Sequence, residues 1–323
     1  MNEIQTSALP FTVLGGFLGS GKTTLLNRLL NLTKETRYAV LVNDFGELNI
    51  DERLIEAHDG ETIALANGCM CCSMADGFVS ALTAVMERAD QFDQMIVEAS
   101  GVSNPGRIMD IAKLDPGLSP NGAIVLVDAT QFLNQLNDSL IKDAVLTQVK
   151  EADILLINKA HLTDQSTLET IKETLDTQNS DCTTLINDRP VVDPGPLFGS
   201  IDTAILKRRE TLALVDKKGT AEHDHDHTHD QFHSYVLRQI KTIDRSTFES
   251  WATTLPPSVI RGKGLISFTE SPHQQWIWQK VGRTYDLESS SGASGQSSMV
   301  VLIGTKEMPV ESDPVIYGPF LKQ

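Results

Sequence analysis

The chain has 323 residues, a formal net charge of -16 and a hydrophobic fraction of 40%. A single core usually stops growing near ~250 to 300 residues, so this length predicts one large domain and a smaller second one. The acidic balance, without a cluster of Lys and Arg, disfavours nucleic acid and anionic membrane surfaces as partners. The sequence shows neither a bilayer-spanning apolar run nor a secretory signal, which predicts a cytoplasmic protein.

The first two-thirds of the chain alternates short β-branched runs with helical stretches, a pattern typical of βαβ units around a mostly parallel sheet. The predicted strands cover residues 12–14, 39–43, 95–98, 122–127 and 154–158. The predicted helices cover residues 23–32, 77–88 and 164–175. We therefore expect a doubly wound α/β domain over residues 1–210.

The remainder of the chain divides into a linker and a small α+β domain. Residues 211–232 include KKGTAEHDHDHTHDQ, which lacks large apolar residues and any helical or strand period, so they are predicted to form a flexible His/Asp-rich linker. Residues 233–323 are predicted to form one strand, one helix and then three strands. These elements cover residues 234–240, 245–255, 264–269, 276–287 and 299–304.

A glycine-rich phosphate-binding motif follows the first predicted strand. The segment GFLGSGKT, residues 16–23, matches the pattern G-x-x-x-x-G-K-[ST] and precedes a leucine-rich helix, as a P-loop does. Backbone N–H groups of such a loop and the helix N-terminus bind phosphate oxygens. Lys22 is predicted to contact the β- and γ-phosphates and Thr23 to bind Mg²⁺. The predicted phosphate-binding residues are Gly16, Gly19, Ser20, Gly21, Lys22, Thr23 and Thr24.

Two further strand ends are predicted to complete the nucleotide site. Glu98 and Gly101 follow a strand expected beside the P-loop, where Glu98 would orient water or ligands of Mg²⁺ and Gly101 would sense the γ-phosphate. Asn158 and Lys159 begin most of an N-K-x-D guanine-recognition element, but His161 replaces its Asp and cannot accept two hydrogen bonds from guanine. GTP is still favoured over ATP. The predicted catalytic residues are Lys22, Thr23 and Glu98.

Three cysteines lie within four positions, at Cys69, Cys71 and Cys72. Thiolates favour Zn²⁺, Cu(I) and related soft ions. A structural zinc site would usually show two paired C-x-x-C elements, which are missing, so an incomplete site used for metal transfer is favoured. Cys71 and Cys72 are adjacent and point apart in an extended chain, which leaves open whether both bind one ion.

A histidine tract lies in the predicted linker. Its four imidazoles fall on one side of an extended chain, and they are suited to collecting Zn²⁺, Ni²⁺ or Co²⁺ with modest affinity. An acidic solubilising linker is the alternative interpretation. The predicted auxiliary ligands are His223, His225, His227 and His229.

Together these motifs resemble the CobW family of metal-linked GTPases. The resemblance covers nearly the whole chain and rests on GFLGSGKTT at residues 16–24, NDFGE at 43–47, GCMCC at 68–72, EASG at 98–101 and RGKG at 261–264. It implies a GTPase metallochaperone in which Glu47 helps the three cysteines to hold the transferred metal. Asp44 stands where the family usually has Glu, and His161 where it has Asp.

We therefore interpret the chain as a slow GTPase that binds GTP, GDP and Mg²⁺, holds Zn²⁺ with Co²⁺ as an alternative, and delivers the metal to a client protein on hydrolysis. A homodimer is left open. Two other interpretations remain: a small-molecule P-loop kinase or ATPase, and a metal-buffering protein with a vestigial nucleotide site. In the first, the thiolates would have no role; in the second, metal affinity would not respond to GTP.

Overall fold

A computed structural model describes residues 8–32, 36–42, 74–187, 195–199, 232–239, 241–289 and 297–320. In these ranges the chain forms two sheets. None of the helices there has the length and apolar character needed to cross a bilayer.

The first sheet has six parallel strands in the order β2-β3-β1-β4-β5-β6. They are β1 (Leu9–Gly16), β2 (Tyr38–Val42), β3 (Gln94–Glu98), β4 (Leu118–Asp128), β5 (Ile154–Asn158) and β6 (Thr183–Ile186). The helices along this part are α1 (Lys22–Leu32), α2 (Met74–Met86), α3 (Pro105–Leu114), α4 (Phe132–Asn137), α5 (Lys142–Lys150), α6 (Gln165–Gln178) and α7 (Gly195–Phe198). The predicted parallel α/β fold is confirmed, and β6, α3, α4, α5 and α7 add to the predicted elements.

The parallel sheet is buried on both faces because its side chains alternate between two cores. Leu14, Ile96 and Ile124 point to the face covered by α1 and by part of the second sheet. Val13 and Val97 point to the opposite face, toward the core that includes residues of α2 and α3. Farther along this second face, Val125 and Leu155 pack with residues of α5 and α6.

The second sheet is antiparallel, in the order β10-β9-β8-β11-β7. Its strands are β7 (Phe232–Gln239), β8 (Val259–Ser267), β9 (Gln275–Val281), β10 (Thr284–Ser289) and β11 (Ser298–Thr305), with helices α8 (Arg245–Thr254) and α9 (Pro314–Tyr317). The prediction of three strands after the helix is wrong, because residues 276–287 form two strands. Gly282, with φ +51°, makes the turn between them in a conformation that favours glycine.

An aromatic cluster forms the core between α8 and the second sheet. The ring of Phe248 lies 5.6 Å from that of Trp278 and 5.7 Å from that of Phe268, both edge to face. Trp278 is fully buried and Trp276 is half-buried, so these tryptophans belong to the core. Gly262 packs against the six-membered ring of Trp278, where a Cβ atom would approach Cη2 to 2.4 Å.

A buried polar network joins the two sheets. Arg261 on β8 donates from its Nε to Leu197 O at 2.9 Å and from Nη1 to Asn121 Oδ1 at 2.8 Å. Asn121 in turn donates to Thr12 Oγ1 at 2.8 Å and to Phe198 O at 3.0 Å. The second sheet is thus attached near the N-terminal ends of β1 and β4, whereas the P-loop follows the C-terminal end of β1.

Candidate nucleotide-binding site

The predicted P-loop connects β1, a central strand of the parallel sheet, to the N-terminus of α1. Gly16, Gly19 and Gly21 have φ values of +133°, +76° and +99°, which strongly favour glycine. A Cβ atom on Gly16 would lie 2.6 Å from Leu126 O, and one on Gly21 would lie 2.6 Å from Asn158 Nδ2. The three glycines therefore allow a close-packed loop whose backbone can approach a phosphate.

Lys22 and Thr23 lie in the first turn of α1 and their side chains make separate contacts. Lys22 is buried and donates from Nζ to Gly16 O at 2.9 Å, which holds the ammonium within the loop. Thr23 donates from Oγ1 to Glu98 Oε1 at 2.8 Å. Glu98 is 3% exposed at the end of β3, directly beside Leu14 of β1. The structure thus brings the predicted catalytic side chains of Thr23 and Glu98 into contact, and it places Lys22 in the adjacent phosphate loop.

The segment after β3 packs against the P-loop, as predicted. At Gly101 a Cβ atom would lie 2.6 Å from Leu18 Cγ and 2.7 Å from Leu18 N, so only glycine fits without displacing the loop. Gln148 on α5 donates from Nε2 to Gly101 O at 3.0 Å and to Ser103 O at 3.0 Å. A neighbouring helix therefore fixes the segment that contains Gly101.

The end of β5 lies on the other side of the P-loop. Asn158 donates from Nδ2 to Ser20 O at 2.8 Å, and Lys159 donates from Nζ to Gly19 O at 2.7 Å. His161 lies in a short 3₁₀ helix and is exposed. Both predicted residues of the guanine-recognition element thus contact the phosphate loop directly.

Sequence analysis missed two side chains here, Asp128 and Asn187. Asp128 ends β4 and accepts from Lys159 Nζ at 2.7 Å, while Asn187 follows β6 and donates from Nδ2 to Asn158 Oδ1 at 2.8 Å. Asp128 could have been found from its place after the apolar run of β4, because the ends of parallel strands meet at one edge of a sheet. Asn187 follows a strand that was not predicted.

The predicted transition-metal ligands lie outside the described residues. These are Glu47, Cys69, Cys71, Cys72, His223, His225, His227 and His229. Val42, which pairs with Glu98 of β3, is the last described residue before Met74. The chain therefore enters the segment with Glu47 and the cysteines from a strand end beside Glu98.

The nucleotide-binding domain of CobW, HypB and UreG matches residues 10–185. The C-terminal domain of the cobalamin synthesis protein CobW matches residues 232–312. The chain belongs to the CobW/HypB/UreG family. The predicted family is confirmed, and with it, at the level of the family, the predicted enzyme class of a CobW-type P-loop GTPase.

Several curated proteins of this family are similar to the chain. Zinc chaperone YjiA of Escherichia coli (strain K12) is 33% identical over 318 residues, covering 93% of this chain and 95% of the relative. Zinc chaperone CobW of Sinorhizobium sp is 25% identical over 340 residues, covering 93% and 94%. Zinc-regulated GTPase metalloprotein activator 1 of Schizosaccharomyces pombe (strain 972 / ATCC 24843) is 34% identical over 177 residues, covering 52% of this chain and 43% of the relative.

Proposed function

We propose that this protein is a GTP-dependent metallochaperone that holds Zn²⁺ and passes it to a client protein. Two relatives that align over 94% and 95% of their own length are named zinc chaperones, and a third is named a zinc-regulated GTPase metalloprotein activator. These names support both zinc as the cargo and GTP as the nucleotide. The observation that carries the proposal is the contact of Thr23 with Glu98 beside the glycine loop. It joins the P-loop to the end of β3, which pairs with Val42 of β2, the last described residue before the segment with the cysteines.

The nucleotide half of the proposal rests on the chemistry of the donor set. The positive-φ glycines allow the loop backbone to approach phosphate oxygens, and Lys22 supplies a positive charge within the loop. The hydroxyl of Thr23 and the carboxylate of Glu98 are the hard oxygen ligands that Mg²⁺ prefers. When bound there, Mg²⁺ would neutralise charge that develops on the phosphates. Gly101 and Lys159 complete the proposed contacts to phosphate and base.

The metal half of the proposal rests on Cys69, Cys71 and Cys72, with Glu47 as a fourth ligand. Three thiolates and a carboxylate suit a tetrahedral Zn²⁺. The tract with His223, His225, His227 and His229 is proposed to gather the ion at modest affinity. Thiolate ligands need a reducing compartment to stay unoxidised, in agreement with the predicted cytoplasmic location.

The two halves are coupled in the proposed cycle. Binding of GTP orders the segment that follows β2, which brings Glu47 toward the cysteines and tightens the hold on zinc. Hydrolysis removes the γ-phosphate contacts, releases the segment and loosens the metal, as in other nucleotide switches. Lys22, Thr23 and Glu98 act by positioning and charge stabilisation, which predicts slow turnover without a partner.

The client is proposed to dock partly on the C-terminal domain. We propose the division into a GTPase domain over residues 1–210, a linker over 211–232 and a C-terminal domain over 233–323. The separate parallel and antiparallel sheets support this division.

The test is the Zn²⁺ dissociation constant, measured by competition with a chelating dye in the presence of Mg²⁺. The protein is compared without nucleotide and with GDP, a GTP analogue or an ATP analogue. A GTP analogue should tighten zinc binding by at least tenfold, about 1.4 kcal/mol of coupling. The triple substitution of Cys69, Cys71 and Cys72 by Ser should abolish the tightening of zinc binding by the GTP analogue. C182A, which changes the buried cysteine of the parallel-sheet domain, should leave it unchanged.

The zinc titration, together with an assay of nucleotide hydrolysis, separates the competing interpretations. One zinc affinity under all nucleotide conditions would support the metal-buffering protein, because its two sites would be uncoupled. If the ATP analogue tightened zinc binding as much as the GTP analogue, the proposed selectivity for guanine nucleotides would be wrong. Nucleotide hydrolysis unchanged by loss of the three cysteines, together with no zinc binding, would support a kinase or ATPase.

A further inference from the structure

We propose that Asp128 is a positioning residue for nucleoside binding, which acts by holding Lys159 against the P-loop. This inference rests on the proposed binding of GTP at the same site. Asp128 lies outside the sequence motifs, and its buried carboxylate contacts the lysine of the guanine-recognition element.

Asp128 has both carboxylate oxygens engaged. Its Oδ1 accepts from the backbone N–H of Thr130 at 2.9 Å and from Thr130 Oγ1 at 2.7 Å. Its Oδ2 accepts from Lys159 Nζ at 2.7 Å. Since the Asp128 side chain is only 5% exposed, its orientation is fixed by Thr130, and the second oxygen is directed at Lys159. A buried carboxylate needs such partners because desolvation penalises an isolated charge.

Lys159 is constrained at both ends. Its backbone adopts φ 60°, the single positive value at a non-glycine residue in the described ranges, a left-handed conformation that costs about 1 kcal/mol or more. Its ammonium is shared between Asp128 and Gly19 O, at 2.7 Å each. The aliphatic stem between these fixed ends therefore spans from the end of β5 to the P-loop.

A fixed stem of this kind gives a nucleobase an apolar surface to pack on. Lysine side chains commonly cover apolar groups with their methylenes while the ammonium makes polar contacts elsewhere. This packing should supply a larger share of the nucleoside affinity in this chain, because His161 stands in place of the Asp that would bind guanine with two hydrogen bonds. Without Asp128, Lys159 would keep one neutral acceptor, Gly19 O, and would lose rotamer order before the nucleoside binds.

The experiment is a double-mutant cycle on nucleotide affinity, with D128N, K159M and the double variant. Binding of a fluorescent GDP analogue is titrated, KM and kcat for GTP are measured, and thermal unfolding checks that each variant is folded. The matched control is D138N, because exposed Asp138 accepts from the backbone of Leu140 at 2.9 Å in a similar turn but has no lysine partner in the described residues.

D128N is expected to weaken GDP binding about tenfold and to raise KM, with kcat within about threefold of wild type. K159M should weaken binding at least as much, and D128N should add nothing in the K159M background, because the carboxylate acts through the lysine. D138N should bind as wild type does. T130V removes one hydrogen bond to Asp128 but keeps the charge of the Asp128 carboxylate, so it should lower GDP affinity less than D128N does. T130V tests the inference if D128N does not fold.

Two results would overturn the inference while leaving the proposed function intact. One is unchanged GDP affinity in folded D128N or, if D128N does not fold, in T130V. The other is a further loss of affinity caused by D128N when Lys159 is already Met. Failure of the wild-type protein to bind either GDP or GTP would instead overturn the proposed function, and this inference with it.

Discussion

Arg261 donates to two oxygens of Asn121, the backbone O at 3.2 Å and Oδ1 at 2.8 Å, and so connects the antiparallel sheet to the start of β4. The guanidinium also donates to Leu197 O, and burial lowers the pKa of Arg261 to about 9. All of these acceptors are neutral carbonyl oxygens, from two backbone groups and one side-chain amide. In the described residues no carboxylate lies within ion-pair distance of it.

Replacing Arg261 with Met should destabilise the protein by about 2 to 4 kcal/mol, because Leu197 O and Asn121 O would lose a buried donor. The free energy of unfolding in urea measures this effect. R283M is the matched control, since Arg283 is exposed in the turn between β9 and β10. Equal stability of R261M and R283M would show that the network contributes nothing to the attachment of the second sheet.

The contact between Thr23 and Glu98 predicts a shared role in hydrolysis. T23A and E98Q should each lower kcat for GTP on the order of 10- to 100-fold, because both oxygens are proposed to position Mg²⁺ and water. Thermal unfolding checks that each variant is folded, and T23A should be moderately less stable than wild type because the buried Glu98 carboxylate loses a donor. Turnover across a Mg²⁺ titration is the measurement. Wild-type turnover in T23A at all Mg²⁺ concentrations would contradict the assignment.

G101A should impair the site through the P-loop rather than through lost chemistry. The added Cβ would meet Leu18 Cγ at 2.6 Å and Leu18 N at 2.7 Å, and the backbone atom cannot move without shifting the loop. We expect a loss of GTPase activity on the order of 100-fold, as for a displacement of about 1 Å. G117A serves as the control, because the closest atom to its Cβ is the flexible end of Met86. Equal activity of the two variants would exclude a role of Gly101 in holding the loop.

The phosphate loop was predictable because its glycines have a local cause. Gly16 and Gly21 have positive φ and leave no room for a Cβ atom. The positions of the glycines in the motif therefore indicate the conformation of the loop. Glu98 was predictable for a related reason, since the polar end of a buried parallel strand meets the loop after the central strand. In both cases a short stretch of sequence contains the physical requirement.

The rest of the site depends on contacts distant in sequence. Asp128 is 31 residues from Lys159, and only the strand order places their side chains together. Arg261 was noticed as part of a motif, but its attachment to Asn121, 140 residues away, could not be inferred from either segment. The β9–β10 hairpin was missed because Gly282 alone marks a turn within an otherwise continuous strand pattern.

Buried Lys280 should make the free energy of unfolding depend on pH in the alkaline range. Burial lowers the pKa of Lys280 to about 8, and nearby Asp153 opposes this shift. Between about pH 8 and the ordinary lysine pKa of about 10.4, the unfolded chain binds a proton that the folded chain lacks. The free energy of unfolding should therefore rise with pH in this window, by up to about 1.4 kcal/mol per pH unit from this one group.

The measurement is urea unfolding at several pH values from 7 to 10 for wild type and K280M. Arg261, with a pKa of about 9, adds a similar rise in both proteins, so the difference between them isolates Lys280. The rise should be smaller in K280M, whereas K306M, which changes an exposed lysine, should follow wild type. Equal slopes for wild type and K280M would mean that Lys280 stays charged in the folded protein and that its contact with Gly282 O compensates for burial.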